Sequence, residues 1–340
     1  MDKSELNRLV EAANSRYTDP GRNRIINEKP GQPPRFEVYH FFMSMCSYKV
    51  RAVLDEKDAS YISHDIDILP PNIQNYFPEY VRLRVTGGEA IAQPLVDGYT
   101  GRSSTETEGF DPCVVPTVVD HEAGKILVNS EATCLYLDSV VSGGTELVPK
   151  DLESEIEAQM DIVDRTPHPA LLYGANPEGD GRPGFVREMM QTAHDVKIGK
   201  LRENMAIVSD DPWLVAAYEH KIVKEQKAKA FVRTESDMRA ALAEFKALLA
   251  DLEKALEATG GEWLFGDRFT MADVFWAVSL FRIKWLGLGY IWATDDGVRL
   301  PRVQAYGQRL FARPSIDRST IHWPNAPPSE HVMEFYGSEP

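Results

Sequence analysis

Every segment of this chain that alternates like a β-strand ends before residue 130, and from residue 152 onwards the apolar residues recur at the helical interval. That change of period splits the chain into an α/β half and an all-α half, and 340 residues suffice for two such domains. In the first half, residues 36–40 read as a strand. Residues 46–57 read as a helix with Val50, Val53 and Leu54 on one buried face, and 61–66 as a second strand. A Pro-Pro turn and the segment 75–83 complete a βαβ unit. Residues 114–120 and 125–128 then form a hairpin signal, and 130–140 a helix. The boundary falls near residue 150, after the Gly-rich stretch that ends this helix.

Helices are expected over 152–163, 186–205, 212–230 and 237–258. A further one opens at Thr270, where Thr270 and Asp273 have the spacing of a capping box. Trp276, Leu280 and Ile283 follow on what should be a buried seam, with Phe281 and Trp285 as further core residues. Residues 1–34 carry the cluster Pro30-Gly31-Gln32-Pro33-Pro34 and are expected to form an extended arm. Residues 85–111 shift to Gly, Ser, Thr and Glu and are expected to form an inserted surface loop. The stretch 324–328 reads as a C-terminal strap. The domains are thus 35–145 and 150–340.

The balance of 37 basic against 52 acidic residues gives a formal charge of −15, which disfavours nucleic acid and anionic membranes as partners. An anionic small substrate would need a local positive pocket. The N-terminal sequence lacks the apolar run of a secretory signal and no uncharged stretch approaches a membrane span, so a cytoplasmic protein is expected. Three cysteines, Cys46, Cys113 and Cys134, argue against a disulfide framework. Neither metal-ligand spacing nor a nucleotide-binding glycine motif occurs.

Three short motifs can carry chemistry. In Ser44-Met45-Cys46-Ser47-Tyr48-Lys49-Val50-Arg51 the thiol falls where a strand gives way to a helix. Free backbone N–H groups and the helix dipole there favour thiolate and lower its pKa, with Lys49 and Arg51 adding to the field. The alternative is a capping turn around an inert, buried Cys46. In Val115-Pro116-Thr117 a proline opens a strand and is a candidate for a cis bond. That would free the Val115 N–H and C=O to pair with a peptide laid alongside, whereas a trans proline on an edge strand would not. Third, Asn129-Ser130 opens a helix. Ser130 is the expected N-cap, and the helix mouth could hold a carboxylate or be merely capped.

Taken in order, the thiol turn, V-P-T, N-S and the later Phe269-Thr270-Met271-Ala272-Asp273 resemble the soluble glutathione transferase superfamily. The resemblance implies an α/β thioredoxin-like N-terminal domain followed by an all-α glutathione transferase C-terminal domain, in a homodimer. It implies a cis Pro116, with Val115 pairing with the cysteinyl part of glutathione. Asn129 and Ser130 would hold its γ-glutamyl end, and Ser44, Cys46 or Ser47 would address its sulfur. More narrowly, the 43–49 turn, the 78–83 segment, 114–117 and Asn129-Ser130 resemble the hydroquinone reductive dehalogenases of this superfamily, as do the segments 108–112 and 166–174. That group uses glutathione as co-substrate, without a metal, to remove halide from a hydroquinone through a glutathionyl conjugate and a mixed disulfide, which would fall to Cys46. His168, Tyr173 and Arg165 would face the aromatic substrate. The rival readings are a transferase or thiol-lyase acting on an aromatic ether or glutathionyl aromatic, and a non-catalytic module with the same fold. Cys113 and Cys134 are expected to be packing residues, Cys113 the nearer to the site.

Overall fold

Residues 1–34 fold rather than forming an arm. The computed structural model describes residues 1–102, 105–294, 296–324 and 326. Helix α1 (Lys3–Asn14) is capped by the Asp2 carboxylate, which accepts from the Ser4 and Glu5 N–H groups, and it buries Leu6, Leu9, Val10 and Ala13. Their spacing is helical, a signal that the nearby proline cluster outweighed. Strand β1 (Asn23–Ile26) then pairs antiparallel with β3 (Tyr61–Asp65), covering a sheet edge.

The rest of the sheet comes from β2 (Phe36–His40), β4 (Thr117–Asp120) and β5 (Lys125–Leu127), in the order β1-β3-β2-β4-β5. Only β2 and β3 run parallel. Every residue of β2 is buried, because α1 and α3 (Pro78–Gly88) cover one face of the sheet while α2 (Met45–Glu56) and α5 (Ser130–Val140) cover the other. The segment 75–83 therefore enters a helix, with Pro78 at its first position.

The 85–111 stretch is a surface loop only in its middle, where Glu89, Ala90 and 92–94 are exposed, and not at its ends. Residues 85–88 finish α3, and Leu95 bridges Phe110. A Cβ on Gly88 would lie 2.4 Å from the Phe110 ring, so glycine is required at that crossing. After the short helix α4 (Thr105–Glu108), the side chains of Glu108, Phe110 and Asp111 are buried. The reason is charge pairing with the second domain, described below.

That domain comprises α6 (Glu153–Asp164), α7 (His168–Tyr173), α8 (Gly184–Met190), α9 (Ala193–Ile207), α10 (Pro212–Arg233), α11 (Glu235–Thr259), α12 (Met271–Trp285) and α13 (Pro301–Phe311). The single helix expected over 186–205 is two, broken at Gln191 and Thr192. Helix α12 begins with the expected Thr270/Asp273 capping box and buries every residue except Lys284. Among the described residues, no helix is long and apolar enough to cross a membrane.

Residues 317–323 return across α2. The Arg51 guanidinium donates to the Ser319 and Phe41 carbonyls, at 2.8 and 3.2 Å, and lies 4.3 Å from the Trp323 ring. With a further bond to His40 Nδ1 at 2.9 Å, Arg51 is committed to tying the end of β2 to the chain's return rather than to the thiol. Of the strap expected over 324–328, Asn325, Pro327 and Pro328 lie outside the described residues.

Glu37 fastens α1 to the sheet. Its carboxylate accepts from Asn14 (2.6 Å), His64 (2.6 Å) and His121 (2.8 Å). Burial alone would raise this carboxyl, but the His121 and His64 bonds hold it well below the usual range. Its contribution is therefore intact above the unfolded value near pH 4.3 and declines as pH falls towards the folded one. Glu37→Gln is expected to cost about 1–3 kcal/mol, read as a lower denaturant midpoint at pH 7. The gap to wild type should narrow below about pH 4.

Candidate active site

A cavity of about 220 Å³ opens at the seam of the two domains. It brings together Ser44, Cys46, Val115, Pro116, Asn129, Ser130, His168 and Tyr173 from the residues singled out in the sequence. Ser47 and Arg165 do not line it.

Ser44 caps α2, its hydroxyl accepting from the Ser47 N–H at 3.3 Å, and Cys46 follows in the first helical turn, partly exposed to the cavity. The reading of Cys46 as a sealed packing residue therefore does not apply. Ser47 is fully buried and its hydroxyl accepts from the Phe41 N–H. Arg282, from α12, donates to the Met43 carbonyl and brings its charge to the same turn. Lys49 adds a second cation, buried in an ion pair with Asp164 of α6 and 4.2 Å from the Phe275 ring. Cys134 is sealed, and burial pushes its thiol up. Cys113 is also raised by burial, although it borders the cavity.

The peptide bond between Val115 and Pro116 is cis. Helix α3 and the turn before it hold this loop by its carbonyls. Asn75 donates to Cys113 O (2.6 Å), Tyr80 to Val114 O (2.7 Å), and Arg84 to Asp111 O (2.9 Å) and Pro116 O (2.5 Å). Among the described residues the Val115 N–H and C=O have no hydrogen-bond partner, which leaves an unsatisfied backbone pair facing the cavity. Across from it, Asn129 rather than Ser130 is the N-cap of α5, accepting from the Ala132 N–H at 3.0 Å. Ser130 is then the first helical residue, its hydroxyl free of the capping task. The shift by one follows from Asn being as good a cap as Ser.

His168 is buried at the start of α7, its Nε2 3.1 Å from the Ser279 hydroxyl and its ring edge-on to Phe245. Its Nδ1 has no partner among the described residues. Burial, with Lys49 and Arg282 nearby, holds this imidazole well below the usual range, so it is neutral at pH 7. Arg165 points away, half exposed and paired with Asp161 and Glu106.

Sequence reasoning missed the polar end of the cavity. Lys221 of α10 contacts Asp111 (2.7 Å) and Glu225 (2.9 Å), while Lys224 contacts Glu108 (2.8 Å) and Asp111 (3.1 Å). His194 Nδ1 lies 2.8 Å from Glu225, and Lys197 donates to the Tyr173 hydroxyl. Against burial, which alone would raise it, Lys221 and Lys224 hold the Asp111 carboxyl far below the usual range. The one signal available was Lys221, Lys224 and Glu225 at spacings of three and four within a predicted helix, a pattern equally typical of a solvated face. Among the described residues no group of His, Cys, Asp and Glu could hold a metal ion.

A thioredoxin-like half joined to a half that is helical but for a two-residue hairpin pairing Ala293–Thr294 with Gly297–Val298, with the cavity between a cis-proline loop and the helical domain, defines the class. This chain belongs to the glutathione S-transferase family, and the model of that family's C-terminal domain matches residues 216–309. More particularly, it is 51% identical over 329 residues, 96% of this chain and 94% of the relative, to the 2,5-dichlorohydroquinone reductive dechlorinase of Sphingobium indicum. It is 24% identical to the tetrachloro-p-hydroquinone reductive dehalogenase of Sphingobium chlorophenolicum, over 85% of this chain and 96% of that one. The fold is shared with a beta-etherase of Sphingobium sp. strain SYK-6 (TM-score 0.55, 16% identity, 84% of this chain and 98% of that one). A glutathione-bound theta class transferase of Xanthomonas axonopodis pv. citri has it too (TM-score 0.50, 18% identity, 86% and 99%). With these relatives the chain is an enzyme, which removes the non-catalytic reading.

Proposed function

We propose that this enzyme reductively dehalogenates a chlorinated hydroquinone, with glutathione as co-substrate and Cys46 as the resolving thiol. The observation that carries the reading is the shared cavity. Cys46, at the mouth of α2, faces the same space as the unpaired Val115 backbone and the start of α5. A γ-glutamyl tripeptide can add its backbone to Val115, set its α-carboxylate at Ser130 and the α5 N-terminus, and bring its thiol to the Ser44–Cys46 turn. The sequence kinship to hydroquinone dechlorinases supports the choice of aromatic substrate.

The chemistry closes on two thiols. Glutathione thiolate attacks the chlorine-bearing carbon of the quinoid tautomer, a C–S bond forms and chloride leaves. Cys46 thiolate then attacks the sulfur of the conjugate. The C–S electron pair returns to the ring carbon, which takes a proton, and a Cys46–glutathione disulfide remains. A second glutathione thiolate opens that disulfide and releases glutathione disulfide, since thiolates exchange readily at sulfur. Two thiols are oxidised while C–Cl becomes C–H.

The test is to incubate the enzyme with glutathione and a panel of chlorinated hydroquinones, measuring chloride and glutathione disulfide together. One disulfide per chloride is the expected ratio. A stable thioether as product would mean a transferase or thiol-lyase instead, and no turnover of any halogenated hydroquinone would remove the dehalogenase reading.

A further inference from the structure

His194 stands at the polar end of the cavity with one nitrogen engaged and one unpaired. Its ring is buried, forms part of the cavity wall, and also borders a smaller cavity behind Tyr173 and Met190. Nδ1 lies 2.8 Å from Glu225 Oε2, while Nε2 has no partner among the described residues. Burial alone would raise the Glu225 carboxyl, but Lys197 and Lys221 beside it hold it well below the usual range, so it carries no proton and can only accept. The Glu225 bond therefore fixes the tautomer: Nδ1 carries the hydrogen and Nε2 presents a lone pair. An enclosed acceptor of this kind is satisfied only by a donor that reaches it from one of the two cavities the ring borders, of which the larger holds Cys46 and the Val115–Pro116 turn.

The surroundings suit proton transfer. Burial lowers the imidazole below its usual value while the Glu225 bond opposes it, leaving a neutral acceptor at pH 7. The groups facing the ring include Glu225 and Lys221 on α10, Lys197 and the exposed Asp195 on α9, and Tyr173 on α7, whose ring centroid is 4.9 Å away. Once Nε2 is protonated, Glu225 offsets the imidazolium against Lys197 and Lys221, which oppose that charge but supply positive charge for an oxyanion. His168 has no such support. Its Nε2 meets a neutral serine hydroxyl, and against the opposing Lys49 and Arg282 it has no carboxylate to match Glu225.

We propose that His194, oriented by Glu225, is the base that takes a hydroxyl proton from the aromatic substrate. In this step the substrate O–H bond breaks, the proton moves to Nε2, and the electron pair stays on oxygen as phenolate, facing Lys197 and the Tyr173 hydroxyl. The proton returns to the substrate later in the cycle, so the imidazole is regenerated. The inference rests on the reading that the acceptor substrate is a hydroquinone.

The test pairs wild type with His194→Asn, whose amide N–H can still donate to Glu225 but which has no atom at Nε2. His194→Gln is a second variant in case the first does not fold, as judged by circular dichroism and glutathione binding. With 4-nitrophenol as probe and glutathione present, wild type is expected to bind the phenolate, seen by its absorbance, at a pH where the free phenol is mostly neutral. The variant is expected to need at least a tenfold lower proton concentration for the same ionised fraction. Equal ionisation in both proteins, or none in wild type, overturns the role of His194. With a chlorinated hydroquinone, kcat/KM of the variant should fall on the order of 10²-fold or more and lose the acidic limb of its pH profile. Should wild type release no chloride from any hydroquinone, the dehalogenase reading fails while the nitrophenol result still decides on His194.

Discussion

Cys46→Ser is expected to release chloride from a chlorinated hydroquinone and then stop, leaving the glutathionyl hydroquinone as the end product. The first bond exchange needs only glutathione thiolate and the quinoid ring, so it survives the substitution. The second needs a nucleophile for sulfur, and a serine hydroxyl is un-ionised at neutral pH and a poor partner in thiol–disulfide exchange. Formation of dechlorinated hydroquinone should fall on the order of 10³-fold or more, as when the nucleophile of a covalent mechanism is removed. Product analysis by mass spectrometry checks this. In wild type, quenching early in turnover should trap a glutathione adduct on Cys46; the variant should carry none. A variant that still yields dechlorinated hydroquinone at the wild-type rate would show that sulfur is removed without Cys46.

Stability should barely change in the same variant. Cys46 is partly exposed to the cavity and packs at the helix mouth beside Ser44, which keeps its capping bond to Ser47 N–H. Loss of product with an unchanged denaturant midpoint separates a chemical role from a structural one.

The residues nearest the sulfur were legible because their chemistry is local. A thiol two residues after an N-cap, a V-P-T entering a strand and an N-S opening a helix each announce a backbone geometry within a few residues. The same holds for the Thr270/Asp273 box, which the α12 start reproduces with both bonds. The helix α1 was equally local, with Asp2 and four apolar residues at helical spacing, and was missed because proline-rich composition was given more weight than periodicity.

Other parts of the site could not be read locally. Arg282 reaches Met43 across 239 positions, and Lys49 reaches Asp164 across 115. A basic residue in a largely buried helix carries no mark of its distant partner. Arg51 shows the opposite failure. Its place beside the thiol motif suggested a role in the site, yet its hydrogen bonds go to the chain's return at Ser319, to His40 Nδ1 and to the Phe41 carbonyl. Arg165 likewise follows α6 directly, but its side chain leaves on the solvent face. Position in a helix sets the face a residue occupies, but mere nearness to a motif does not put it on the motif's face or say what that face meets.

Asp111→Asn is expected to produce the largest loss of stability, about 3–5 kcal/mol. Asp111 is buried between two ammonium groups, Lys221 at 2.7 Å and Lys224 at 3.1 Å, and its backbone carbonyl also anchors Arg84 below the cis-proline loop. An amide leaves Lys221 with Glu225 and Lys224 with Glu108, so two cations in a dry site each keep one counter-ion and lose their shared one. Because the folded carboxyl lies far below its usual value, its contribution is complete above the unfolded value near pH 4 and fades as acid protonates it. The variant should therefore differ from wild type at pH 7 and approach it below about pH 4. Denaturant midpoints at both pH values test this, and a constant gap across that range would mean the carboxylate's charge is not what holds the loop. The apolar pair Asp111→Leu with Lys221→Met should recover part of the loss, since removing both buried charges costs less than stranding one. A coupling of at least about 1 kcal/mol in that cycle is expected. Because the same lysine faces His194, the double variant should also lose affinity for the phenolate probe even where its fold is restored, which separates the network's hold on the 85–111 segment from its hold on the substrate.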